Sequence, residues 1–498
     1  MNEIVINYKI VRLKMNNLKE ILDKIGMYRY TTAVLRWEMD TIAPKKSYEH
    51  LIDVSSKYEL EAFKLSTSKE YINALNNVIE FELDSLDELE RKYILDLKVD
   101  YEKIKRIPSD FYEEHTKLCS NSLNAWVEAK DKSDYNIFKP YLIKVINSTK
   151  KLYNYMYPSA SNIYDCMLND YEKGITSSFI DNLFDKLKSG IIPIIKNLKD
   201  NKTEKLQKSY TNLELIDLAS YLLNYIGFDN TRGNLGIYTH GYTMKLDDND
   251  IRITFSNTSN ITDVISTVIH EGGHGIFEQN VSNILTKYPY DVNKCGLHES
   301  QSRFFENILA RNKNFFIPIY DDLCKKLDIN ISLDEFIKMF NIAKVSKIRT
   351  EADELTYCMH IIIRYEIERG IFEGSIDLEN LPNIWNKLYK EYLGVDITND
   401  KEGILQDMHW SEGAFGYFPF YLMGTIFDGM LLLNINNKLG NVDEILKQGK
   451  IKDITLYLNK NIHKYGGIYN INEVSNRLFG EDLKVEPIIN YFKNKYKN

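Results

Sequence analysis

The sequence predicts a mostly α-helical protein, and three observations lead to that prediction. Apolar residues recur at helical spacing through most of the 498-residue chain. Proline and glycine number only 10 and 24, and no stretch rich in them forms a linker. One short stretch, residues 234–256, instead shows the alternating apolar pattern of β-strands. We therefore expect one large helical body with a small β-element.

Composition and charge restrict the class of protein further. The chain is 44% hydrophobic and 27% charged, which is the composition of a globular protein long enough to form a large core. No repeat or low-complexity tract divides the sequence, so we predict a single domain over residues 1–498. The net charge is −8 and basic residues are scattered among acidic ones, which argues against nucleic acid as a partner.

Cysteine usage and hydropathy indicate a cytoplasmic protein without a membrane span. The five cysteines lie far apart and form no CxxC pair, as is typical of reduced thiols. The N-terminus lacks the apolar core of a signal peptide. The most apolar stretch, Tyr417–Leu433, is interrupted by Pro419 and Asp428.

The helical patterns begin after a short stretch of different character. In residues 1–14, an isoleucine or tyrosine occupies every second position from Ile4 to Ile10, as in a strand. Helical spacing starts at Met15, continues to about Gly227 and returns at Leu297.

The predicted β-element, residues 234–256, lies directly before the next helix. Ile251, Ile253 and Phe255 alternate with Arg252 and Thr254. An edge strand here could pair with an extended peptide, or the element could be a purely structural hairpin. The residues alone do not choose between these two uses.

The strongest functional signal is the HEGGH motif inside the helix predicted for residues 261–280. Asn260 is the expected N-cap of this helix. Two histidines four residues apart, His270 and His274, lie about 40° apart on one helix face, so both imidazoles can reach one cation. Glu271 lies roughly 100° away from His270, where it can hold a water molecule.

The two glycines of the motif need an explanation, because each costs about 1 kcal/mol in a helix interior. A close approach by another chain segment or by a substrate would offset that cost. We therefore expect Gly272 and Gly273 to mark a tight contact.

A catalytic zinc site needs a third protein ligand. The pattern with a third histidine fails, since Phe277 and Asn280 occupy the required glycine and histidine positions. A carboxylate is then needed, and Glu299, near the start of a second amphipathic helix, is the best placed. Spacing alone does not decide for Glu299, because glutamate is common at helix starts for electrostatic reasons. Glu306 and Glu278 remain as weaker candidates.

These motifs resemble the M32 family of metallocarboxypeptidases, the thermostable carboxypeptidase Taq type. HEGGHGIFEQ is followed by HESQSRFFEN, and Trp37-Glu38 with Pro44 resembles an early family segment. Three further family motifs occur in order: DxRxT at residues 250–254, IRxxADE at 348–354 and GxxQDxHW at 403–410.

Two departures from the family's motifs lie in segments expected on the substrate side. The family's HPF is HGY at residues 240–242, and residues 255–257 are FSN rather than a Thr-Arg-Tyr-like run.

The resemblance implies a fold and an activity. The fold is a large neurolysin-like helical body with a deep central cleft and the small β-element next to the HExxH helix. The activity is release of single C-terminal residues from peptides with a free C-terminus, by a homodimer with one divalent metal per chain. Zinc is favoured by ligand type, and cobalt or manganese could also serve. Residues 1–14 are expected to be an extension that precedes the family's domain.

The resemblance also assigns roles to residues. His270, His274 and Glu299 are the implied metal ligands, and Glu271 is the implied general base. A second group is expected to stabilise the oxyanion by hydrogen bonds: His409, Tyr417 and Tyr421. A third group is expected on the substrate side: Arg349, His240, Arg252, His298 and Gln406.

Arg349 has two interpretations. With Asp353 four residues on, it could form an ion pair on a helix surface, which contributes little to stability. It could instead bind the free carboxylate of a peptide C-terminus, for which arginine is well suited. The resemblance favours the second interpretation. Arg252 has a similar claim, although its strand position also suits a structural role.

Two other functions stay open. A helical zinc oligoendopeptidase would share the metal chemistry but need no carboxylate clamp. A helical peptide-binding scaffold with an inactive metal site is the other alternative, and the intact Glu271 argues against it because a binding site needs no base.

Overall fold

A computed structural model describes residues 2–198, 206, 208–288 and 295–496, and it confirms the predicted fold class. Helices dominate and one three-stranded sheet accompanies them. The helices in chain order are α1 (Asn2–Thr41), α2 (Tyr48–Ser66), α3 (Lys69–Phe81), α4 (Glu88–Ile104), α5 (Ser109–Lys132), α6 (Tyr135–Met156), α7 (Ile163–Tyr171), α8 (Ser177–Lys196), α9 (Asn212–Ile226), α10 (Ile261–Gln279), α11 (Asn283–Thr286), α12 (Cys295–Arg303), α13 (Lys313–Phe316), α14 (Tyr320–Leu327), α15 (Leu333–Phe340), α16 (Tyr357–Glu373), α17 (Leu381–Leu393), α18 (Phe418–Lys438), α19 (Val442–Lys447), α20 (Ile451–Asn461), α21 (Ile471–Phe479) and α22 (Glu486–Lys495).

The chain divides into two compact units, each made of three segments. The first unit comprises Met1–Arg106, Leu206–Asn293 and Lys450–Tyr469. The second unit comprises Ile107–Lys205, Lys294–Gly449 and Asn470–Asn498. The HExxH helix and the sheet therefore belong to the first unit, and the segments with the IRxxADE and GxxQDxHW motifs belong to the second.

The strand-like alternation near the N-terminus does not form a strand. Residues 2–14 continue the long helix α1. A lone strand would leave its backbone N–H and C=O groups without partners, whereas a helix satisfies them internally. The hydrogen-bonding requirement therefore outweighs a short alternation of isoleucines.

The predicted β-element is a three-stranded sheet in the order β1-β3-β2. Its strands are β1 (Gly233–Ile237), β2 (Tyr242–Asp247) and β3 (Asp250–Phe255). β3 is the central strand, parallel to β1 and antiparallel to β2. The alternating residues Ile251, Ile253 and Phe255 are fully buried, as their pattern predicts. The sheet adjoins α10, which follows it in the chain.

Helix α10 buries the apolar face that its sequence predicts. Ile261, Val264 and Val268 are at most 1% exposed. Asn260 occupies the N-cap position, but the expected side-chain cap is absent there. Its Oδ1 instead accepts a hydrogen bond from Thr262 Oγ1 at 3.0 Å, so a nearer hydroxyl replaces the backbone N–H as donor.

The first glycine of the HEGGH motif lies at a tight helix contact, as expected. A Cβ atom at Gly272 would lie 2.5 Å from Leu223 Cδ2 and 2.7 Å from Ile226 Cδ1, both on α9. Only a residue without a side chain allows α9 and α10 to approach this closely. The packing of the two helices therefore offsets the cost of glycine in the helix.

Among the described residues, one helix is long and apolar enough to cross a membrane. This is α18, with a mean hydropathy of 1.4 and 78% of its most apolar window buried in the protein. The core helix of a globular protein meets the same criterion, and the 1%-exposed Asp428 lies in this helix. Its length and composition are weak evidence for a membrane span.

Substitutions that change side-chain volume at residues 272 and 223 test the tight contact between α9 and α10. We expect Gly272→Val to lower the free energy of unfolding by about 1–3 kcal/mol through overpacking, and Leu223→Ala by about 2–5 kcal/mol through a cavity. The double variant should lose less than the sum, with a coupling of about 0.5–3 kcal/mol, because valine fills the vacated space. Urea unfolding of all four proteins measures this, and strict additivity would contradict the contact.

Candidate active site

The two motif histidines lie together on α10 in the first unit. The rings of His270 and His274 are nearly perpendicular, with centroids 5.1 Å apart. One ligand nitrogen of each lies within 4.8 Å of the other, and both residues are half-buried. A single cation can therefore bind both imidazoles, as the four-residue spacing predicts.

Glu271 lies between these histidines in sequence but is buried, with 6% of its surface exposed. Thr243 Oγ1 on β2 donates to Glu271 Oε2 at 2.8 Å and lies 2.9 Å from the backbone oxygen of the same residue. The carboxylate thus has a hydroxyl donor that fixes its position. Thr243 was not identified from the sequence, because only the folded sheet brings it to α10.

The DxRxT motif acts mainly within the sheet. Arg252 pairs with Asp250 through Nε–Oδ1 and Nη2–Oδ2 contacts of 3.0 and 2.8 Å, and its guanidinium lies 5.4 Å from the Trp37 ring centre. Thr254 is fully buried and hydrogen-bonds the 240–242 segment. These contacts favour the structural role for Arg252 that the sequence left open.

His240, predicted on the substrate side, is exposed at the end of this segment. Its Nδ1 lies 3.1 Å from Thr239 Oγ1, and its ring lies 4.9 Å from the Tyr238 ring and 6.1 Å from the Tyr242 ring. An exposed imidazole among aromatic rings is accessible to a ligand, so its predicted role stays compatible with the structure.

Glu299, the predicted carboxylate ligand, lies on α12 in the second unit. It is half-buried, as is its neighbour His298. Arg303, one turn further on, places Nη1 at 3.9 Å from Glu299 Oε1 and its guanidinium 4.2 Å from the Tyr357 ring centre. The helix continues as a π-helix over Phe304–Leu309, a feature that often accompanies functional sites.

The two alternative glutamates have cationic neighbours elsewhere. Glu306 lies 3.6 Å from Arg311 in the second unit. Glu278, buried in the first unit, lies 3.8 Å from Lys245. By residue type, the side chains suited to hold a metal ion are therefore the paired His270 and His274 of the first unit, and Glu299 is the candidate carboxylate of the second unit. Two imidazoles and one carboxylate form a donor set typical of catalytic zinc sites.

The helix-surface ion pair considered for Arg349 is wrong. Arg349 lies in a 3-10 turn, Arg349–Glu351, rather than in an α-helix. Its Nε donates to Asp407 Oδ1 at 2.9 Å. Asp353 instead accepts backbone hydrogen bonds from Leu355 and Thr356 at 2.9 and 3.0 Å. The turn removes the i,i+4 geometry on which the ion pair depended.

Asp407 is shared by two arginines. Arg364 Nε donates to Asp407 Oδ2 at 2.6 Å, opposite the contact from Arg349. Burial raises the pKa of the Asp407 carboxyl, but Arg364 and Arg349 outweigh burial and hold that pKa well below its usual range. Asp407 is therefore ionised throughout the physiological range, and it fixes the orientation of both guanidinium groups.

Gln406, predicted as a substrate contact, uses its amide within the protein. Its Oε1 accepts from Arg349 N at 3.1 Å and from Arg364 Nη2 at 3.0 Å. Its Nε2 donates to the Lys347 backbone oxygen at 2.7 Å. We therefore read Gln406 as a residue that positions Arg349.

The three predicted oxyanion donors form an aromatic cluster in the second unit. The ring centroids of His409 and Tyr417 are 5.7 Å apart, and those of Tyr417 and Tyr421 are 5.1 Å apart. Burial lowers the pKa of His409 to about 4 and raises the pKa of Tyr421 well above its usual value. Both groups are therefore neutral near pH 7, and each can donate one hydrogen bond.

A buried glutamate that the sequence did not single out supports the loop that carries His409. Glu368 Oε1 accepts from Trp410 Nε1 at 2.6 Å, and Oε2 accepts from Gly416 N at 2.9 Å and from Tyr164 OH at 3.0 Å. Burial raises the pKa of Glu368 to about 7. Nothing in the local pattern around residue 368 indicates this role, since its partners are distant in sequence.

Comparison with known proteins gives matches over nearly the whole chain. The sequence model of the carboxypeptidase Taq (M32) metallopeptidases matches residues 17–496. Carboxypeptidase 1 of Bacillus subtilis (strain 168) is 36% identical over 488 residues, which cover 96% of this chain and 97% of that protein. Thermostable carboxypeptidase 1 of Pyrococcus furiosus is 31% identical, with 96% and 98% covered. A solved Pyrococcus furiosus carboxypeptidase structure has a TM-score of 0.90 at 30% identity, with 96% and 99% covered.

Removing the charge of Asp407 should destabilise the protein strongly. We expect Asp407→Asn to lower the free energy of unfolding by about 3–5 kcal/mol at pH 7, because the buried Arg364 and the largely buried Arg349 lose their counter-charge. The folded pKa of Asp407 is depressed, so its contribution is present above the unfolded value of 3.8 and is lost as the pH falls below it. The difference between the variant and the wild type should therefore shrink below about pH 4.

Urea unfolding at pH 7, 5 and 3 measures both expectations. Asp396→Asn is the matched control, since Asp396 pairs with Lys390 at the surface and its side chain is 77% exposed. That control should change the stability by less than about 0.5 kcal/mol. Equal effects of the two substitutions would contradict the role of Asp407.

Proposed function

Because the chain belongs to the carboxypeptidase Taq (M32) family of metallopeptidases, it is a metallocarboxypeptidase, and we propose that it releases single C-terminal residues with zinc as its metal. The observation that carries the proposal is the paired imidazoles of His270 and His274, with a buried carboxylate, Glu271, between them in the motif. Binding of a divalent metal itself follows from family membership.

The proposed metal ligands are His270, His274 and Glu299. Their nitrogen and carboxylate donors suit zinc, and cobalt or manganese would suit the same set less specifically. When bound, such an ion polarises the carbonyl of the scissile bond and lowers the pKa of a water molecule. The remaining parts of the reaction belong to side chains of this protein.

Glu271 is the proposed general base. It takes a proton from the attacking water and then gives it to the nitrogen of the leaving amino acid. Its burial and its hydrogen bond from Thr243 support this role, because a general base acts well only in a fixed orientation.

His409 and Tyr421 are the proposed donors to the oxyanion that forms when water adds to the carbonyl. Both groups are neutral near pH 7 and thus carry the N–H or O–H that this role requires. Among the described residues, the buried Nδ1 of His409 has no hydrogen-bond partner, so no described protein group competes for that atom. Tyr417, packed against both rings, orients them or donates in turn.

Arg349 is the proposed clamp for the C-terminal carboxylate. Its Nε is fixed by Asp407 and its Nη1 lies 3.3 Å from Tyr357 OH, so the guanidinium is held by both contacts. A fixed guanidinium binds a carboxylate with geometric specificity, which would restrict the enzyme to free C-termini. His240 and His298 remain proposed substrate-side residues.

The homodimer, the cytoplasmic location and the absence of nucleic-acid and membrane partners stay predictions. Four cysteines in the described part of the chain are unpaired, which supports a reducing compartment. Size-exclusion chromatography with light scattering would test the dimer.

A pair of peptides tests the reaction directly. We expect an N-blocked peptide with a free C-terminus to lose residues one at a time, and its C-terminal amide to be left intact, because Arg349 needs a carboxylate. A chelator should abolish the activity, and zinc or cobalt should restore it. Mass spectrometry of the products measures both effects. Internal cleavage of both peptides would instead indicate an endopeptidase.

A single substitution tests the proposed base. Glu271→Gln should reduce kcat by at least about 100-fold, because an amide cannot accept the proton. Zinc content, measured by elemental analysis, should stay near that of the wild type, since Glu271 is not a proposed ligand. Glu366→Gln, a change at a half-buried surface ion pair with Lys188, is the matched control. Full activity of the Glu271 variant would refute the mechanism.

A further inference from the structure

The carboxylate of Glu271 is held by a hydroxyl from the neighbouring sheet. Thr243 Oγ1 lies 2.8 Å from Glu271 Oε2 and 2.9 Å from the backbone oxygen of Glu271. A hydroxyl has one hydrogen, so it either shares that hydrogen between the two acceptors or alternates between them. In both cases one hydroxyl links the side chain of Glu271 to its own backbone carbonyl.

A glycine on the same segment allows this arrangement. A Cβ atom at Gly241 would lie 3.0 Å from Glu271 Oε1, 3.2 Å from Glu271 Cγ and 2.4 Å from Thr267 Cγ2. The backbone of residue 241 therefore packs directly against the carboxylate. Any side chain at this position would displace Glu271 or Thr267, so glycine here is required by space.

The segment that carries Gly241 and Thr243 is itself anchored. Thr254 Oγ1 on the central strand accepts from Tyr242 N at 3.0 Å and donates to the His240 backbone oxygen at 3.1 Å. Tyr242 OH donates to Asp40 on α1 at 3.0 Å. The start of β2 is thus fixed on both sides, which makes it a rigid support for a side-chain contact.

We propose that Thr243 is a positioning residue for Glu271, and that its hydroxyl holds the carboxylate in the orientation in which it exchanges a proton with water. This inference rests on the proposed function of Glu271 as general base. The hydrogen bond goes to one carboxylate oxygen, so it restricts rotation of the whole group about its Cγ–Cδ bond. Because β2 is itself anchored, the hydroxyl of Thr243 has a fixed position relative to Glu271.

The proton balance of the step needs no further reactant. Glu271 accepts one proton from water while the water oxygen forms its bond to the carbonyl carbon, and the same proton passes to the amine nitrogen as the peptide bond breaks. Thr243 keeps its own proton throughout. Loss of the hydroxyl should therefore slow proton transfer and leave substrate binding unchanged.

Three variants separate this role from a structural one. Thr243→Val keeps the branched shape and removes the hydroxyl, and we expect kcat to fall about 10–100-fold, the usual effect of losing a supporting partner at a metal site. KM should stay within about twofold, since the side chain contacts no substrate in the proposal. Thr243→Ser restores the hydroxyl and should recover most of kcat.

The third variant, Thr455→Val, is the matched control. Thr455 is buried in the same unit and donates to the Ile226 backbone oxygen at 2.7 Å. The control variant also replaces a buried threonine hydroxyl by a methyl group, and it should leave kcat unchanged. Kinetics on the blocked free-acid peptide and zinc content by elemental analysis are measured for all variants. If Thr243→Val does not fold, Thr243→Ala takes its place under the same criteria.

The outcomes distinguish this inference from the proposed function. A selective loss of kcat in the valine variant, with normal zinc content and rescue by serine, supports positioning by Thr243. The inference is overturned if kcat of Thr243→Val stays within twofold of the wild type, or if Thr243→Ser loses as much kcat as Thr243→Val. Either result counts against it even when Glu271→Gln is inactive. Turnover by Glu271→Gln at the wild-type rate would instead overturn the proposed function itself.

Discussion

A largely buried carboxylate between two arginines is the interaction on which the proposed substrate side of the second unit depends. Asp407 holds Arg349 on one side and Arg364 on the other, and Gln406 joins both arginines through a single amide oxygen. Removing two guanidinium groups from water is costly, and Asp407 offsets that cost only if all three groups keep their geometry. The rigidity that the proposed carboxylate clamp at Arg349 requires thus arises from the need to neutralise charge removed from water.

Local spacing predicted the features that depend on a single helix. The histidine pair, the buried face of α10 and the tight contact at Gly272 all follow from the 3.6-residue period or from the cost of glycine. Two expectations from local spacing, the side-chain cap by Asn260 and the ion pair between Arg349 and Asp353, were wrong, and both failed for one reason. In each case a partner outside the assumed geometry, Thr262 or Asp407, made the better contact.

Residues that act through distant partners could not be found in this way. Arg364 and Glu368 lie on α16 amid apolar residues, and periodicity alone would assign them no special role. Thr243 reaches Glu271 only because β2 pairs with β3 and the sheet adjoins α10. Family motifs supplied part of what spacing could not, since DxRxT includes the buried Thr254 that fixes the start of the strand carrying Thr243.

The loop with His409 and Tyr417 is held by hydrogen bonds to Glu368, a group that is half-protonated near neutrality. The Glu368 carboxyl has a pKa of about 7 in the folded protein, above its ordinary value of 4.5. Between these two values the native state binds a proton that the unfolded chain releases, so this residue's contribution to stability declines as the pH rises. Folding near pH 6 therefore consumes hydrogen ions at this position, although the three donors from Trp410, Gly416 and Tyr164 favour the ionised carboxylate.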